Sequence, residues 1–435
     1  MNQYNDILGA NARIWFYLRE NSGKGRGIAD SKIKTKKILS KADVNVPKIL
    51  GLLRTQKEVE EFEWETLHGN FVIKPAYGSG GRGVIVVKKK AKWAGEWHLM
   101  DGKKLEVSDL RLHCSDILEG RFSLYNKSDS VLVEERIKIH PKFLRFTKSG
   151  TPDIRIIIYN RVPVMAMLRL PTEDSEGKAN LHQGAIGLGI DMATGITTYG
   201  VRYNSPVDKI YDYRRKKKIK VNGIKIPHWK KTLLTAIKCQ YAVPSLEFLG
   251  VDLVIDKKKG PMILELNARP GLSIQICNKS GLKQRLERVD GLPVRNYKHA
   301  MKVSRTLFGE KFADKVTLKS PHDRKILKTV EPIKVHGGNG RKVEMLAKVD
   351  TGAARSSIDE DIAKSLGLLD SDNIVFYRTY RSSLGREKKR PVVSVTFNLN
   401  GQKIMTEVNV ADRSKLETKF LLGKRDLKGF LIKVE

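Results

Sequence analysis

The sequence predicts an α+β protein in two unequal parts, a large domain of mixed strands and helices followed by a small, mostly-β one. Three observations predict this. β-type apolar runs and an amphipathic helical stretch alternate as far as residue 310; Lys311 to Lys328 is polar and basic and contains Pro321; from Val330 onward short β-type runs dominate. The expected domains are therefore residues 1–310 and 329–435, joined by a basic linker at 311–328.

Taken in order, Ser31 to Val46 carries Ile33, Ile38, Leu39 and Ala42 at helical spacing and ends in a turn at Asp43–Pro47, before the apolar run Ile49–Leu53. Phe71–Lys74 and Val84–Val87 read as strands around a glycine-rich turn, a hairpin in outline. Further strands are expected at Val131–Glu135, Arg155–Tyr159, Val164–Arg169, Gly250–Ile255 and Met262–Leu266, and Trp229–Tyr241 is the clearest amphipathic helix. In the small domain, strands are expected at Val343–Val349, Val392–Phe397, Ile404–Val410 and Phe420–Leu422, with one short helix after Asp359.

With 435 residues, 40% hydrophobic and 30% charged, the chain is long enough to bury more than one core, which excludes fibrous and disordered classes. Its 82 Lys and Arg against 48 Asp and Glu give a net charge of +34, suited to polyanions such as nucleic acid, phosphorylated cofactors or acidic peptides. Three scattered cysteines support neither a disulfide framework nor a cysteine zinc site. The N-terminus lacks a secretion-signal pattern and no apolar stretch reaches spanning length, so a cytoplasmic protein without a membrane partner is expected.

Phe71-Val-Ile-Lys74-Pro-Ala-Tyr-Gly78-Ser79-Gly80-Gly81-Arg82-Gly83 sets a lysine at a strand end before a turn with four glycines. Glycines let backbone N–H groups approach phosphate oxygens and the lysine adds a cation, but without Gly-Lys-Ser/Thr this is no P-loop, and a plain glycine-rich hairpin is the simpler alternative. A second cluster, Val251-Asp252 and then Ile263-Leu-Glu265-Leu-Asn267-Ala-Arg269, gives it context. Strand alternation puts Glu265 and Asn267 on one face, and a hairpin brings Asp252 alongside. Two carboxylates and an amide oxygen form a hard, oxygen-only site suited to Mg²⁺ on nucleotide phosphates; a polar strand face with Arg269 as an ion-pair partner is the alternative.

With both clusters in this order, the chain from about Lys32 to Arg288 resembles the ATP-grasp superfamily, and within it the alpha-L-glutamate-ligase-related (RimK-like) branch of carboxylate–amine ligases. The resemblance implies ATP and Mg²⁺ as cofactors. It implies nucleotide contacts from Lys32 and Lys74, a phosphate-covering loop at Gly78, Ser79, Gly80, Gly81, Arg82 and Gly83, and an adenine-holding hinge at Glu134, Glu135 and Ile137. It assigns phosphate- and acyl-phosphate-facing roles to Arg155 and Arg169, acceptor-side roles to Asn180 and His182, magnesium to Asp252, Glu265 and Asn267, and a substrate-side role to Arg269. Two departures stand out. Only about 30 residues precede Lys32, where ribosomal-protein glutamate ligases carry a folded domain, so acceptor recognition is expected to differ; and Lys138 to Lys148 lacks the acidic residue that holds the ribose in many relatives. Arg214-Arg-Lys-Lys-Lys218 could meet nucleic-acid phosphates, although a solvated loop or hairpin is the expected form.

In the small domain, Ala347-Lys-Val-Asp350-Thr351-Gly352-Ala353 ends an apolar strand, and Leu421-Leu422-Gly423 follows about seventy residues later. Together they resemble a retropepsin-like domain over about 329–435, in particular the bacterial kind labelled an ATP-dependent zinc protease, here without His-Glu-x-x-His. Aspartic hydrolysis needs two carboxylates around one water, and this domain offers Asp350 alone, so activity would require a homodimer; binding without cleavage is the alternative.

The expected function is thus an ATP- and Mg²⁺-dependent ligase that joins a carboxylate to an amine through an acyl phosphate, on amino acid or peptide substrates of acidic character, with an attached aspartic-protease-like module. Two rivals stand beside it: a basic nucleic-acid or ribosome binder on a degenerate ATP-grasp scaffold, and a dimeric peptidase regulated by ATP. Nucleic acid is not the favoured partner.

Overall fold

A computed structural model describes residues 6–78, 81–93, 95–99, 102–123, 127–148, 150–309, 325–381 and 387–433. Ser79 and Gly80 of the glycine turn and most of the expected linker lie outside the described residues.

The first sheet is built from β1 (Ile49–Leu53), β2 (Phe71–Pro75), β3 (Ile85–Lys90), β4 (Glu96–Leu99), β5 (Lys104–Glu106) and β6 (Val131–Glu135), in the order β1-β6-β2-β3-β4-β5. Its inner face packs Phe71, Ile73, Val87 and Trp97 against the helix Val107–Leu118 and Trp64. The expected Phe71/Val84 hairpin is present, with β2 and β3 antiparallel.

The second sheet comprises β7 (Asp153–Tyr159), β8 (Val162–Leu170), β9 (Ile186–Ile190), β10 (Thr197–Arg202) and β11 (Ser205–Pro206), then, beyond a separate hairpin of β12 (Lys209–Asp212) and β13 (Lys217–Lys220), β14 (Phe248–Asp256) and β15 (Gly260–Asn267). Its order is β11-β10-β9-β8-β7-β14-β15. Every residue of β7, β8 and β14 is buried, which is why these strands read as near-continuous apolar runs. Charged residues inside such strands are therefore costly exceptions, and Asp153, Arg155, Arg169 and Asp252 are four of them. The helices Trp229–Ala242 and Tyr297–Phe308 pack on this sheet and on each other. The basic run forms the β12–β13 hairpin, anchored by buried Asp212, which accepts from Arg145 and from the Arg214 and Arg215 amides.

The small domain contains β16 (Ile326–Leu327), β17 (Val330–His336), β18 (Lys342–Asp350), β19 (Ser357–Asp359), β20 (Ile374–Arg381), β21 (Glu387–Leu399), β22 (Gln402–Ala411), β23 (Phe420–Gly423) and β24 (Leu431–Ile432). Seven strands run in the order β17-β18-β23-β19-β22-β21-β20, and a further β17–β21 pairing curls the sheet toward a barrel. Ile326–Leu327, expected in the linker, instead pairs in parallel with Leu431–Ile432, and Leu327 is fully buried in the small domain's core. An apolar pair with a core to enter does not behave as linker, despite its basic neighbours.

The helix Tyr297–Phe308, capped by the Asn296 side chain on the His299 amide at 2.9 Å, also meets the small domain. Thr306 Oγ1 donates to Ser394 Oγ at 2.7 Å and Lys302 Nζ to Asn373 Oδ1 at 2.7 Å. Behind them Glu407 of β22, fully buried, receives Arg288 Nη2 at 3.0 Å from the large domain and Arg355 Nε at 3.1 Å and Arg425 from the small one. The two domains share a charged junction around one buried carboxylate.

Candidate active site

The helix Lys32–Lys41 begins where Ser31 accepts the Lys34 amide at 3.3 Å, and helical geometry stacks Lys32 and Lys36 on one face, four residues apart. That face meets β2 and β6. Lys74 Nζ lies 2.6 Å from Glu134 Oε1 and Lys36 Nζ 2.9 Å from Glu134 Oε2, all three side chains being almost fully buried. Burial opposes ionisation of Glu134, yet Lys74 and Lys36 hold its carboxyl below the usual range. Burial and the neighbouring Lys74 push Lys36 down to about 8 against the pull of Glu134. Lys32 Nζ donates to the Gly78 carbonyl at 2.5 Å; burial lowers its pKa, with Lys74 adding to the effect and Glu265 opposing it. The helix thus sends Lys32 to the start of the glycine turn and Lys36 to Glu134, where it joins Lys74 to put two cations on one carboxylate.

The turn is fixed at both ends. Asp129 accepts the Tyr77 amide on both carboxylate oxygens at 3.1 Å. Gly81 and Gly83 adopt φ of +74° and +68°, and a Cβ on Gly83 would fall 2.6 Å from the Phe122 ring, so glycine is required there. The sequence-based reading of Glu134 as a hinge backbone residue did not include its side chain, which serves as counter-ion to Lys74 and Lys36. Glu135 is paired outward with Lys259 at 2.6 Å. Ile137 follows the strand end.

On the second sheet, strand register builds the other half. Arg155 faces Asp252 across β7–β14, and Asp252 faces Glu265 across β14–β15, where a bulge at Asp252/Leu253 keeps Glu265 and Asn267 in step with Asp252 and Gly250. Asp153 faces Arg169 across β7–β8. Residues directly opposite project to the same face, so Asp153, Arg155, Arg169, Asp252, Glu265 and Asn267 form one polar patch on an otherwise apolar sheet. Arg155 grips Asp252 with two bonds, Nε to Oδ1 at 2.7 Å and Nη2 to Oδ2 at 2.5 Å. Arg169 grips Asp153 at 2.5 and 2.6 Å and reaches Asp252 Oδ2 at 2.9 Å.

This pairing differs from the expectation that put the arginines on phosphates and Asp252 on a metal: here the two guanidiniums are held by Asp252 and Asp153. In a buried sheet no ion is left uncompensated, and the alternating row neutralises itself. Burial opposes the Asp252 charge, but Arg155 and Arg169 hold its carboxyl well below the ordinary range. Glu265 goes the other way: burial and the facing Asp252 raise its pKa, with Lys32 the first opposing cation. Two carboxylates directly opposite each other repel, and a cation between them relieves both. Together with the amide oxygen of Asn267, which accepts the Arg269 amide at 2.9 Å and keeps a lone pair, they form an oxygen donor set that fits Mg²⁺. Among the described residues no group of three or more His, Cys, Asp or Glu gathers as a metal site, so the fit rests on Asn267 as the third donor.

Arg269 is exposed and paired with Asp30 at 2.8 and 3.2 Å. Asn180 caps a short turn by accepting the His182 amide at 3.1 Å, and His182 lines a cavity of about 230 Å³ with Leu181, Arg202, Tyr203, Ser273 and Ile276. Asn180 and His182 lie on the loop before β9, apart from the Lys74 cluster on the first sheet. Sequence reasoning missed Lys36, Asp129 and Asp153. Lys36 was detectable, since it repeats Lys32 one helical turn on; Asp129 and Asp153 lack any such spacing signal.

In the small domain β18 and β23 run parallel with Asp350 opposite Gly423, so the apolar-apolar-Gly strand does lie beside the Asp-Thr-Gly strand. Asp350 Oδ1 accepts the Gly352 and Ala353 amides at 2.7 and 3.0 Å. A Cβ on Gly423 would strike the Arg355 backbone at 2.4 Å, which explains the glycine.

Comparison with known proteins follows this division. The model of the sugar-transfer associated ATP-grasp family matches residues 11–291, well over half of the chain; the RimK-like branch is not what the match names. The model of the retropepsin-like aspartic endopeptidase RimB matches residues 364–435, a span that begins after Asp350. No curated protein matches. Among solved structures, the chain is similar to the ATP-grasp ligase PsnB complexed with minimal precursor (14% identity, 62% of each chain, TM-score 0.32) and to D-alanine–D-alanine ligase from Bacillus anthracis (16%, 61% of each chain, TM-score 0.32). It is also similar to Lpg0085 of Legionella pneumophila, of unknown function (19%, 26% of this chain and 92% of that one, TM-score 0.17). The chain thus spans less than two thirds of the length of the first two. The extent of the family match and the order of the two sheets agree: the large domain has the ATP-grasp fold, and the chain belongs to the sugar-transfer associated ATP-grasp family.

Proposed function

We propose that the protein is an ATP- and Mg²⁺-dependent carboxylate–amine ligase that forms an amide or peptide bond on amino acid or peptide substrates. The observation that supports this most is a lysine cluster, Lys32 on the Gly78 carbonyl and Lys74 on the strand entering the same turn, within one domain that also sets Asp252 opposite Glu265. A single anion-binding cluster would suit many ligands; a cation cluster and an oxygen donor set together suit a triphosphate with its metal.

In this reading a carboxylate oxygen attacks the γ-phosphorus of ATP and ADP leaves; the amine nitrogen then attacks the acyl carbon, phosphate leaves, and the amine gives up its proton. Lys74 and Lys32 offset charge on the phosphates, and Arg155 and Arg169, oriented by Asp252 and Asp153, set the positive field where the acyl phosphate forms. Asp252, Glu265 and Asn267 would hold Mg²⁺, which supplies charge neutralisation on the phosphate oxygens. Arg269, exposed on the same strand end, is free to exchange Asp30 for a substrate carboxylate. The excess of basic residues favours acidic substrates, the glutamate-rich peptides of a RimK-like activity among them.

The small domain is proposed to bind, and as a homodimer to cleave, a peptide related to the ligase product. Asp350, held by two backbone amides, is one half of an aspartic pair, and a second copy would supply the other. The test of the main reading is ADP release with Mg-ATP across amino acids and acidic peptides. Wild type should respond to at least one pair of substrates and Glu265→Gln to none; equal rates in both would remove the metal site from the account.

A further inference from the structure

The segment before the helix Gly23–Ala29 holds three consecutive apolar side chains out in water. Ile14, Trp15 and Phe16, in the π-helical turn Arg13–Tyr17, are 54%, 66% and 59% exposed, and Ile7 on the same segment is also exposed. The turn itself is firmly seated. Tyr17 is buried edge-on against Tyr159 at 5.4 Å, Arg13 Nη1 donates to the Pro270 carbonyl at 2.8 Å, and Leu8 exchanges hydrogen bonds with the Gln275 side chain at 2.8 and 3.1 Å. A chain that buries Leu8 and Tyr17 while displaying Ile14, Trp15 and Phe16 pays a hydration cost that the fold of this domain does not require.

The border of the patch is basic. Arg19 lies 5.9 Å from the Trp15 ring, and Arg19 and Arg26 line a shallow groove with Ile14, Trp15 and Leu18, while Lys24 is exposed on the next helix. The adjacent acid, Glu20, is exposed and accepts from the Tyr159 hydroxyl at 3.0 Å. A tryptophan bordered on one side by two arginines, with an exposed phenylalanine next to it, matches an anionic lipid interface, where aromatic rings enter the headgroup layer and guanidiniums meet phosphates. A second copy of the chain is disfavoured, because it would bring two arginine-bordered faces of a +34 molecule together.

We propose that Ile14, Trp15 and Phe16 form a membrane-surface anchor for an anionic bilayer, held by Arg13 and Leu8 to the segment that follows the Glu265–Arg269 strand end. No helix among the described residues is long and apolar enough to cross a membrane, and peripheral binding of this kind needs none. It departs from the sequence-based expectation of no membrane partner, which weighed only spanning segments and secretion signals.

The test is co-sedimentation of the full chain with phosphatidylcholine vesicles containing or lacking phosphatidylglycerol, for wild type, Trp15→Glu/Phe16→Glu and Trp15→Phe, with thermal midpoints to confirm folding. Wild type should bind the anionic vesicles, the double variant should bind at least tenfold more weakly with an unchanged midpoint, and Trp15→Phe should retain binding. Failure of wild type to bind, equal binding by the double variant, or a wild-type dimer that the double variant abolishes would each overturn the proposal; the last would assign the patch to a second copy.

Discussion

The two domains set their candidate carboxylates in different surroundings. In the large domain, carboxylates and cations interlock within one chain: Glu134 between Lys74 and Lys36, Asp252 between Arg155 and Arg169. In the small domain Asp350, half-buried, ends the largely exposed strand β18 with two backbone amides on its Oδ1. The first arrangement carries its compensating charges with it and can be read as a whole site. The second shows one carboxylate held by two backbone amides, beside the Gly423 strand. Charge networks in a sheet therefore say more about a self-sufficient centre than a sequence motif does.

The comparison is broken most directly at Asp252. Replacing it by alanine strands the buried Arg155 and leaves Arg169 with Asp153 alone, and denaturant unfolding should show a loss of roughly 3–5 kcal/mol; a loss below about 1 kcal/mol would mean Arg155 finds another partner. Glu407 at the junction comes next. Its three arginines are partly solvated, so Glu407→Gln should cost roughly 2–3 kcal/mol, less than a fully buried pair. Burial resists the Glu407 charge but the arginines hold its pKa below the ordinary value of 4.5. The sign follows: a depressed carboxyl contributes stability that is present above about 4.5 and lost as pH falls through its folded value. Wild type should therefore show an acid-limb loss that Glu407→Gln lacks.

Much of this was legible beforehand. Four strands of the second sheet, β7, β8, β14 and β15, were found because long apolar runs with a turn between them can do little else, and the Lys257–Gly260 turn made the Asp252–Glu265 pairing visible; the shorter β9, β10 and β11 were not expected. What could not be read is which strands are neighbours when far apart in sequence. Arg155 and Asp252 are separated by 97 positions, so their grip, and hence the role of Asp252 as an anchor for guanidiniums, depends on β7 lying beside β14. Glu134 illustrates a second limit: a strand pattern gives the face of a side chain but not the charge it will meet there. In the small domain the motif pair Asp350 and Gly423 was legible, since both residues are demanded by local backbone geometry.

Smaller effects sharpen the contrast. Gly423→Ala forces a methyl into the Arg355 backbone and should cost about 1–3 kcal/mol, read as a lower unfolding midpoint. Asp350→Asn keeps an acceptor for the same two amides, so its stability should stay within about 0.5 kcal/mol of wild type while any peptidase activity disappears. A large loss of stability in Asp350→Asn would place that carboxylate among the structural charges and erase the distinction between the domains.

The central claim is that one lysine-lined turn and one carboxylate-bearing strand pair act on the same triphosphate. Isothermal calorimetry of an ATP analogue, with and without Mg²⁺, tests it on wild type, Lys74→Met and Glu265→Gln. The account predicts tight binding to wild type only with the metal, weakening of roughly tenfold or more in Lys74→Met, and loss of the metal dependence in Glu265→Gln. Nucleotide binding that is indifferent to Mg²⁺, or no binding to folded wild type, would contradict it.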